Sequence, residues 1–215
     1  MKKLLSLLFC SSVLLFQSCL KDNSPPLVPD PPVTGQKEKV IEIQTDFGNM
    51  YVWLYKETPL HRENFLKLAG QQFYDNTTFH RIIKDFMIQG GDPKSKDDDP
   101  NNDGTGGPGY DIPAEFVSSL KNVRGALATA RLGDNVNPQK ASNGSQFFIN
   151  LVANTHLDNN YTVFGFVMKG MEAADKIVVQ PKNANDRPLT NIKMQVKVLE
   201  KTKAEILSEY GYEVK

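Results

Sequence analysis

The three histidines of this chain, His61, His80 and His156, show neither HxxxH nor any other metal-ligand spacing. Cys10 and Cys19 are its only cysteines, so everything beyond residue 19 lacks both a disulfide and a thiolate metal site. A nucleophile elbow needs Gly-x-Ser-x-Gly, and Asn143-Gly144-Ser145-Gln146-Phe147 is not one. Gly104 to Gly109 is glycine-rich, but no Gly-Lys-Ser/Thr follows it, which disfavours a phosphate cradle. Asp99, Asn101 and Asp103, followed by Gly104, match the opening half of an EF-hand-type calcium loop. Tyr110 stands where the twelfth-position Glu belongs, so this is only a weak metal candidate and 93–103 reads better as a solvated acidic loop. Hydrolase, kinase and dehydrogenase chemistry has little support.

The chain has 215 residues, with 25 Lys and Arg against 25 Asp and Glu, which argues against a nucleic-acid binder. Its length fits one globular domain with tails. Lys2 and Lys3 precede an apolar run, Leu4 to Phe16, too short to span a bilayer and suited to a secretory signal. The following Phe16-Gln17-Ser18-Cys19 resembles a bacterial lipoprotein signal, making Cys19 the expected lipidation site. The expected layout is a signal peptide over 1–18, a proline-rich tether over 19–38 and a folded domain with a C-terminal helical extension over 39–215.

Ile41, Ile43 and Thr45 alternate with Glu42 and Gln44, and Asp46-Phe47-Gly48-Asn49 offers a turn into a second strand, Met50 to Tyr55. Thr58 and Pro59 predict a helix start, with Gly70 ending the helix. Further strands are predicted at Phe79–Ile83, Phe86–Gln89, Val123–Ala130, Gln146–Leu151, Val163–Val167 and Ile192–Val198. A second short helix is expected around Met171 to Ile177. Thr202 and Glu205 form a capping-box pattern for a third, C-terminal helix. Many strands with few helices suggest a closed barrel or a sandwich with helices at its ends.

Phe79-His80-Arg81-Ile82-Ile83-Lys84-Asp85-Phe86-Met87-Ile88-Gln89-Gly90-Gly91-Asp92 resembles the signature segment of the cyclophilins. Gly104-Thr105-Gly106-Gly107, Asn143 to Ile149, and Phe164-Gly165 resemble three further cyclophilin blocks, in the family's order. The resemblance spans roughly 39–200. It implies a closed eight-stranded antiparallel barrel capped by two helices. The implied activity is peptidyl-prolyl cis-trans isomerisation without a cofactor, by a monomer acting on proline-containing polypeptide clients. Combined with the signal segment, it suggests a lipid-anchored folding enzyme of the bacterial envelope. A binding module that holds proline-containing segments without turnover is the alternative.

By the same resemblance, Arg81 is the catalytic donor. Phe86, Met87, Phe148 and Leu157 form the proline pocket, and Gln89 and Gln146 hold the substrate backbone. Ala130 and Arg131 contact the residue before proline. Side-chain alternation agrees: Gln146, Phe148 and Asn150 share one face of their strand, and Phe147, Ile149 and Leu151 the other. An inward Gln146 would have no obvious partner, which favours a ligand-facing one. Three positions depart from many eukaryotic members: His156 stands for Trp, Tyr161 for His and Arg131 for Asn. His156 should weaken the family's sensitivity to cyclosporin.

Overall fold

Alternating burial and a two-residue turn set the first elements. The computed structural model describes residues 35–97 and 99–214, in which β1 (Lys37–Thr45) and β2 (Gly48–Leu54) form the expected hairpin. Thr45 pairs with Gly48 across the turn, its hydroxyl donating to the Gly48 carbonyl at 2.8 Å and accepting from Phe47 N at 3.1 Å. α1 (Pro59–Gly70) begins at the expected proline, but Thr58 does not cap it. The amides of Leu60 and His61 instead donate to the Glu115 carboxylate, at 3.1 and 3.0 Å, so a distant loop supplies the cap.

β3 (Phe79–Ile83) and β4 (Met87–Gly90) make a second hairpin around Asp85, whose φ is +57°. The chain continues through β5 (Asp111–Ile112), β6 (Ala126–Thr129), β7 (Ser142–Asn143), β8 (Phe147–Asn150) and β9 (Val163–Lys169). α2 (Met171–Val178), β10 (Gln195–Thr202) and α3 (Lys203–Tyr210) complete it. Eight strands form one antiparallel sheet in the order β10-β1-β2-β9-β6-β8-β4-β3, and β5 pairs with β7 apart from it.

The expected closed barrel is not found. β10 and β3 lie at opposite ends of the order and share no ladder; one isolated bridge, Thr78 to Lys193, links the segments leading into them. Around that bridge Asn76 N donates to Met194 O, Met194 N to Thr77 O and Phe79 N to Ile192 O, each at 2.9 Å, but the pairing does not extend along the two strands, whose edge groups are engaged elsewhere. Asp75 accepts from Val196 N with its side chain at 3.3 Å, occupying an amide that a strand would need. The loop after α2 covers the outer edge of β3: Ile82 N donates to Asp186 O at 2.8 Å and Lys182 Nζ donates to Ile82 O at 2.9 Å.

One face of the sheet holds the main core. Ile41, Ile43, Val52, Ile82, Leu127, Phe147, Ile149 and Phe164 pack there with Phe65 of α1 and Ile177 of α2. The opposite faces of β4, β6 and β8 carry a separate apolar cluster that includes Met87, Ala128 and Phe148.

Outside β1 and β2, α3 seals a third patch of Val40 and Trp53 beneath Ile206, Tyr210 and Val214. Its capping box forms as expected: Glu205 N donates to Thr202 Oγ1 at 3.2 Å and Thr202 N to Glu205 Oε2 at 2.7 Å. Deleting residues 203–214 should be strongly destabilising, because each large apolar side chain contributes about 1.5–3 kcal/mol on burial. We expect the melting temperature to fall by about 10 °C or more. A truncated chain melting with the full one would show that the helix is no part of the fold's stability.

Candidate functional site

Strand register builds the site. Arg81 pairs with Gln89, Gln89 with Phe148, Phe148 with Ala128, and Ala128 with Val163. Directly paired residues project to the same face, so one row across five strands runs from a guanidinium through an amide to apolar side chains. Above this row lies a cleft of about 480 Å³. Arg81, Phe86, Met87, Gln89, Ala130, Arg131, Phe148, Leu157 and Tyr161 all line it. Phe148 is 4% exposed and meets the Tyr161 ring edge-on, with centroids 5.8 Å apart.

Two expected residues lie elsewhere. His156 is exposed and stacks on Phe86 with ring centroids 6.0 Å apart, but does not line the cleft. Gln146 is buried and fully engaged: its Nε2 donates to Gly104 O at 3.1 Å and Gly106 O at 2.7 Å, and its Oε1 accepts from Gln89 Nε2 at 2.9 Å. An inward Gln146 therefore does have partners, contrary to the expectation. Gln89 Oε1 in turn accepts from the Arg81 guanidinium at 3.5 Å, so a chain of amides runs from the glycine loop to Arg81. Gly106 is required for this approach, since a Cβ there would lie 2.2 Å from Asp92 Oδ1.

Arg131 is not free. Its side chain is 5% exposed and donates to Asn160 O, Leu132 O and Asp134 Oδ1, with the guanidinium 4.6 Å from the Tyr161 ring centroid. The neighbouring backbone is clamped as well: Ala130 N donates to Gln146 O at 3.0 Å and Ala130 O accepts from Asn143 N at 2.8 Å. Most described residues of the acidic loop are exposed, as expected, but its carboxylates are engaged. Asp103 is held by Arg187 at 2.6 Å with its side chain 6% exposed, and Asp99 Oδ1 accepts from Asn101 N and Nδ2. The carboxylates of the half EF-hand pattern are thus used within the protein, and no cluster of three His, Cys, Asp or Glu suited to a metal occurs among the described residues.

A polar network that the sequence does not reveal braces this wall from behind. His61 Nδ1 lies 2.6 Å from Glu115 Oε2 and its Nε2 lies 2.9 Å from Ser142 Oγ, which accepts from Thr129 Oγ1 at 2.7 Å. With Nδ1–H donating to the carboxylate, Nε2 of neutral imidazole accepts from the Ser142 hydroxyl. The order matches a Ser-His-acid triad. Ser142 is only 1% exposed, however, and the void beside His61, about 10 Å³, is too small for a substrate. The network ties α1 to the strand that precedes Ala130.

His80 is buried next to Arg81, and neither ring nitrogen has a hydrogen-bond partner among the described residues. Burial pushes the pKa values of both His61 and His80 below the ordinary value, outweighing the opposing pull of Glu115 on the first and of Asp92 and Asp103 on the second. Both are therefore neutral when folded, whereas the unfolded chain takes up protons below about pH 6.5. Their stabilising contribution is complete above that pH and is lost as pH falls further, by at most about 1.4 kcal/mol per pH unit for each group. Melting temperatures should decline between pH 6.5 and 5, and less steeply in His61→Gln. A flat profile across that range would refute neutral burial.

An antiparallel sheet bearing a guanidinium, two amides and an apolar pocket on one face is suited to holding a peptide without covalent chemistry. The chain belongs to the cyclophilin family: the sequence model for cyclophilin type peptidyl-prolyl cis-trans isomerases matches residues 40–198. It is an enzyme of that isomerase class and binds proline-containing peptides. Peptidyl-prolyl cis-trans isomerase CYP18-1 of Arabidopsis thaliana is 40% identical over 156 residues, 72% of this chain and 91% of that protein. Isomerase CYP71 of the same plant is 41% identical over 166 residues, 75% of this chain but only 24% of that longer protein. The crystal structure of a Cryptosporidium parvum cyclophilin type isomerase superposes with a TM-score of 0.68 at 29% identity, covering 78% of this chain and all of that one. The same protein has been crystallised in the presence of the dipeptide Ala-Pro.

These relatives are eukaryotic, which overturns the expected bacterial lipoprotein form and, with it, the expected lipid-anchored location in a bacterial envelope. Cys19, the signal segment and most of the proposed tether lie outside the described residues. Among those described, no helix is long and apolar enough to cross a membrane.

Proposed function

We propose that the chain accelerates rotation about X-Pro bonds through Arg81, with the proline ring seated on Phe86, Met87, Phe148 and Leu157. Rotation must break amide resonance, against a barrier of about 18–20 kcal/mol. As the bond twists, the prolyl nitrogen recovers its lone pair, and a donor directed at that nitrogen stabilises the twisted state more than either planar one. Arg81 suits this role because it stays charged at any physiological pH and its one hydrogen bond among the described residues is long. Gln89 and the clamped backbone of Ala130 and Arg131 hold the peptide on either side, while Gln146 acts through Gln89. The carrying observation is the row Arg81-Gln89-Phe148 on adjacent strands. The Cryptosporidium relative crystallised with Ala-Pro supports a proline-directed cleft.

An NMR titration with a short Ala-Pro peptide tests the location. Resonances of Met87, Gln89 and Phe148 should shift, and those of His61 and Ser142 should not. Shifts centred on the His61 network would overturn the assignment.

Cyclosporin should bind weakly, because His156 supplies neither the apolar area nor the indole donor of the usual Trp. Losing a buried aromatic contact with its hydrogen bond reduces affinity by roughly 30- to 1000-fold. His156→Trp should recover part of that loss when inhibition of turnover is titrated. Tight inhibition of the unmodified protein would refute this role for His156.

A further inference from the structure

We propose that the cleft continues past the proline pocket into a polar annex, built by loops 99–104 and 181–189, that favours clients carrying an acidic side chain beside the proline. This rests on the isomerase reading above and adds a substrate class to it. The cleft, about 480 Å³, is large enough for several groups and not just one pyrrolidine ring. Phe86, Met87, Phe148 and Leu157 line its apolar part, while Asn101, Asp103, Asn183, Asn185 and Arg187 line the rest.

The annex is built firmly. Arg187 Nε donates to Asp103 Oδ2 at 2.6 Å, and its two terminal nitrogens donate to Pro188 O at 2.9 Å and Asn191 Oδ1 at 2.7 Å. A guanidinium has five N–H groups, so the fork is fixed in place with donors to spare. Asn183 Oδ1 accepts from the amides of Asn185 and Arg187, at 2.9 and 3.1 Å, which shapes the loop around these side chains. The same loop is bonded to the edge of β3 at Ile82, the residue after Arg81, so the annex has a set position relative to the catalytic strand.

Charge selects the ligand. Among the described lining residues, three guanidiniums, Arg81, Arg131 and Arg187, face one carboxylate, Asp103. The chain as a whole carries no net charge, so the excess is local. Arg131 is paired with Asp134 and Arg187 with Asp103, so the uncompensated charge of the cleft is that of Arg81, and Arg187 offers a carboxylate its two remaining N–H groups beside the neighbouring amides. A client lysine at that place would meet the unpaired field of Arg81.

Exchange NMR on matched peptides, with Glu, Gln or Lys placed on one side of the proline and then on the other, tests the annex. At one of the two positions the Glu peptide should exceed the Lys peptide in kcat/KM by about fivefold or more at low salt, with the ratio shrinking at high salt. Arg187→Gln should reduce the ratio. Asn185→Asp, nearly isosteric and on an exposed loop, should lower it or reverse it. Equal rates for Glu and Lys at both positions, or a ratio unmoved in both variants, would overturn the annex. Turnover of the Gln peptide separates the two claims: if it fails, the isomerase reading fails, and if it proceeds without charge preference, only the annex does.

Discussion

Arg81→Ala is expected to fold normally and to lose about 10²-fold or more in kcat/KM on Ala-Pro peptides, since one charge-stabilising donor is worth about 2.7–4 kcal/mol. Folding should survive because Arg81 is exposed and its hydrogen bond to Gln89 spans 3.5 Å. Gln89 keeps its bond to Gln146, so the amide chain from Gly104 and Gly106 stays intact behind the missing side chain. Lysine at this position should recover only part of the rate, because a mobile ammonium lacks the planar fork that Gln89 orients. Near-wild-type turnover in a folded Arg81→Ala protein would eliminate the mechanism.

Phe148→Ala should act mainly on binding. The ring lies on the face of β8 that looks into the cleft, packed with Met87, Leu157 and Val163 and edge-on to Tyr161. Truncating a buried Phe costs about 3–5 kcal/mol in a closed core, and less where one side opens to a cleft. We therefore expect peptide affinity to weaken by at least about tenfold, with a smaller loss of stability than Phe147→Ala, whose ring lies in the main core against Phe65 and Tyr74. Unchanged affinity combined with a large drop in melting temperature would assign Phe148 to the core instead.

What the sequence displays is what neighbours along the chain determine. The period-two pattern of 146–151 sorts Phe147 and Ile149 from Phe148, and Thr202 with Glu205 marks the start of α3. Contacts across long separations leave no such trace. Thr58 has the composition of a cap, yet Glu115 caps α1 because the fold brings its carboxylate to the first-turn amides. Gln146 lacks a visible partner in the sequence because its acceptors are the carbonyls of Gly104 and Gly106, and any residue type supplies a carbonyl. Barrel closure is equally illegible: strand count suggests it, while in the fold Asp75 and the loop around Asp186 occupy edge groups of β10 and β3. Arg187 lies in a stretch of Asn, Asp and Pro that reads as loop, and only the folded chain brings it to Asp103.

In the proposed mechanism Arg81 acts on the twisted bond and contributes little to holding the peptide. Measuring peptide affinity and exchange rate by NMR in the same samples of wild type and Arg81→Ala tests this most directly. The expected result is an affinity within a few-fold of wild type alongside a rate lower by about 10²-fold or more, as for an interaction made only in the transition state. An affinity that falls in step with kcat/KM while kcat is preserved would contradict it, and would make Arg81 a residue for binding alone.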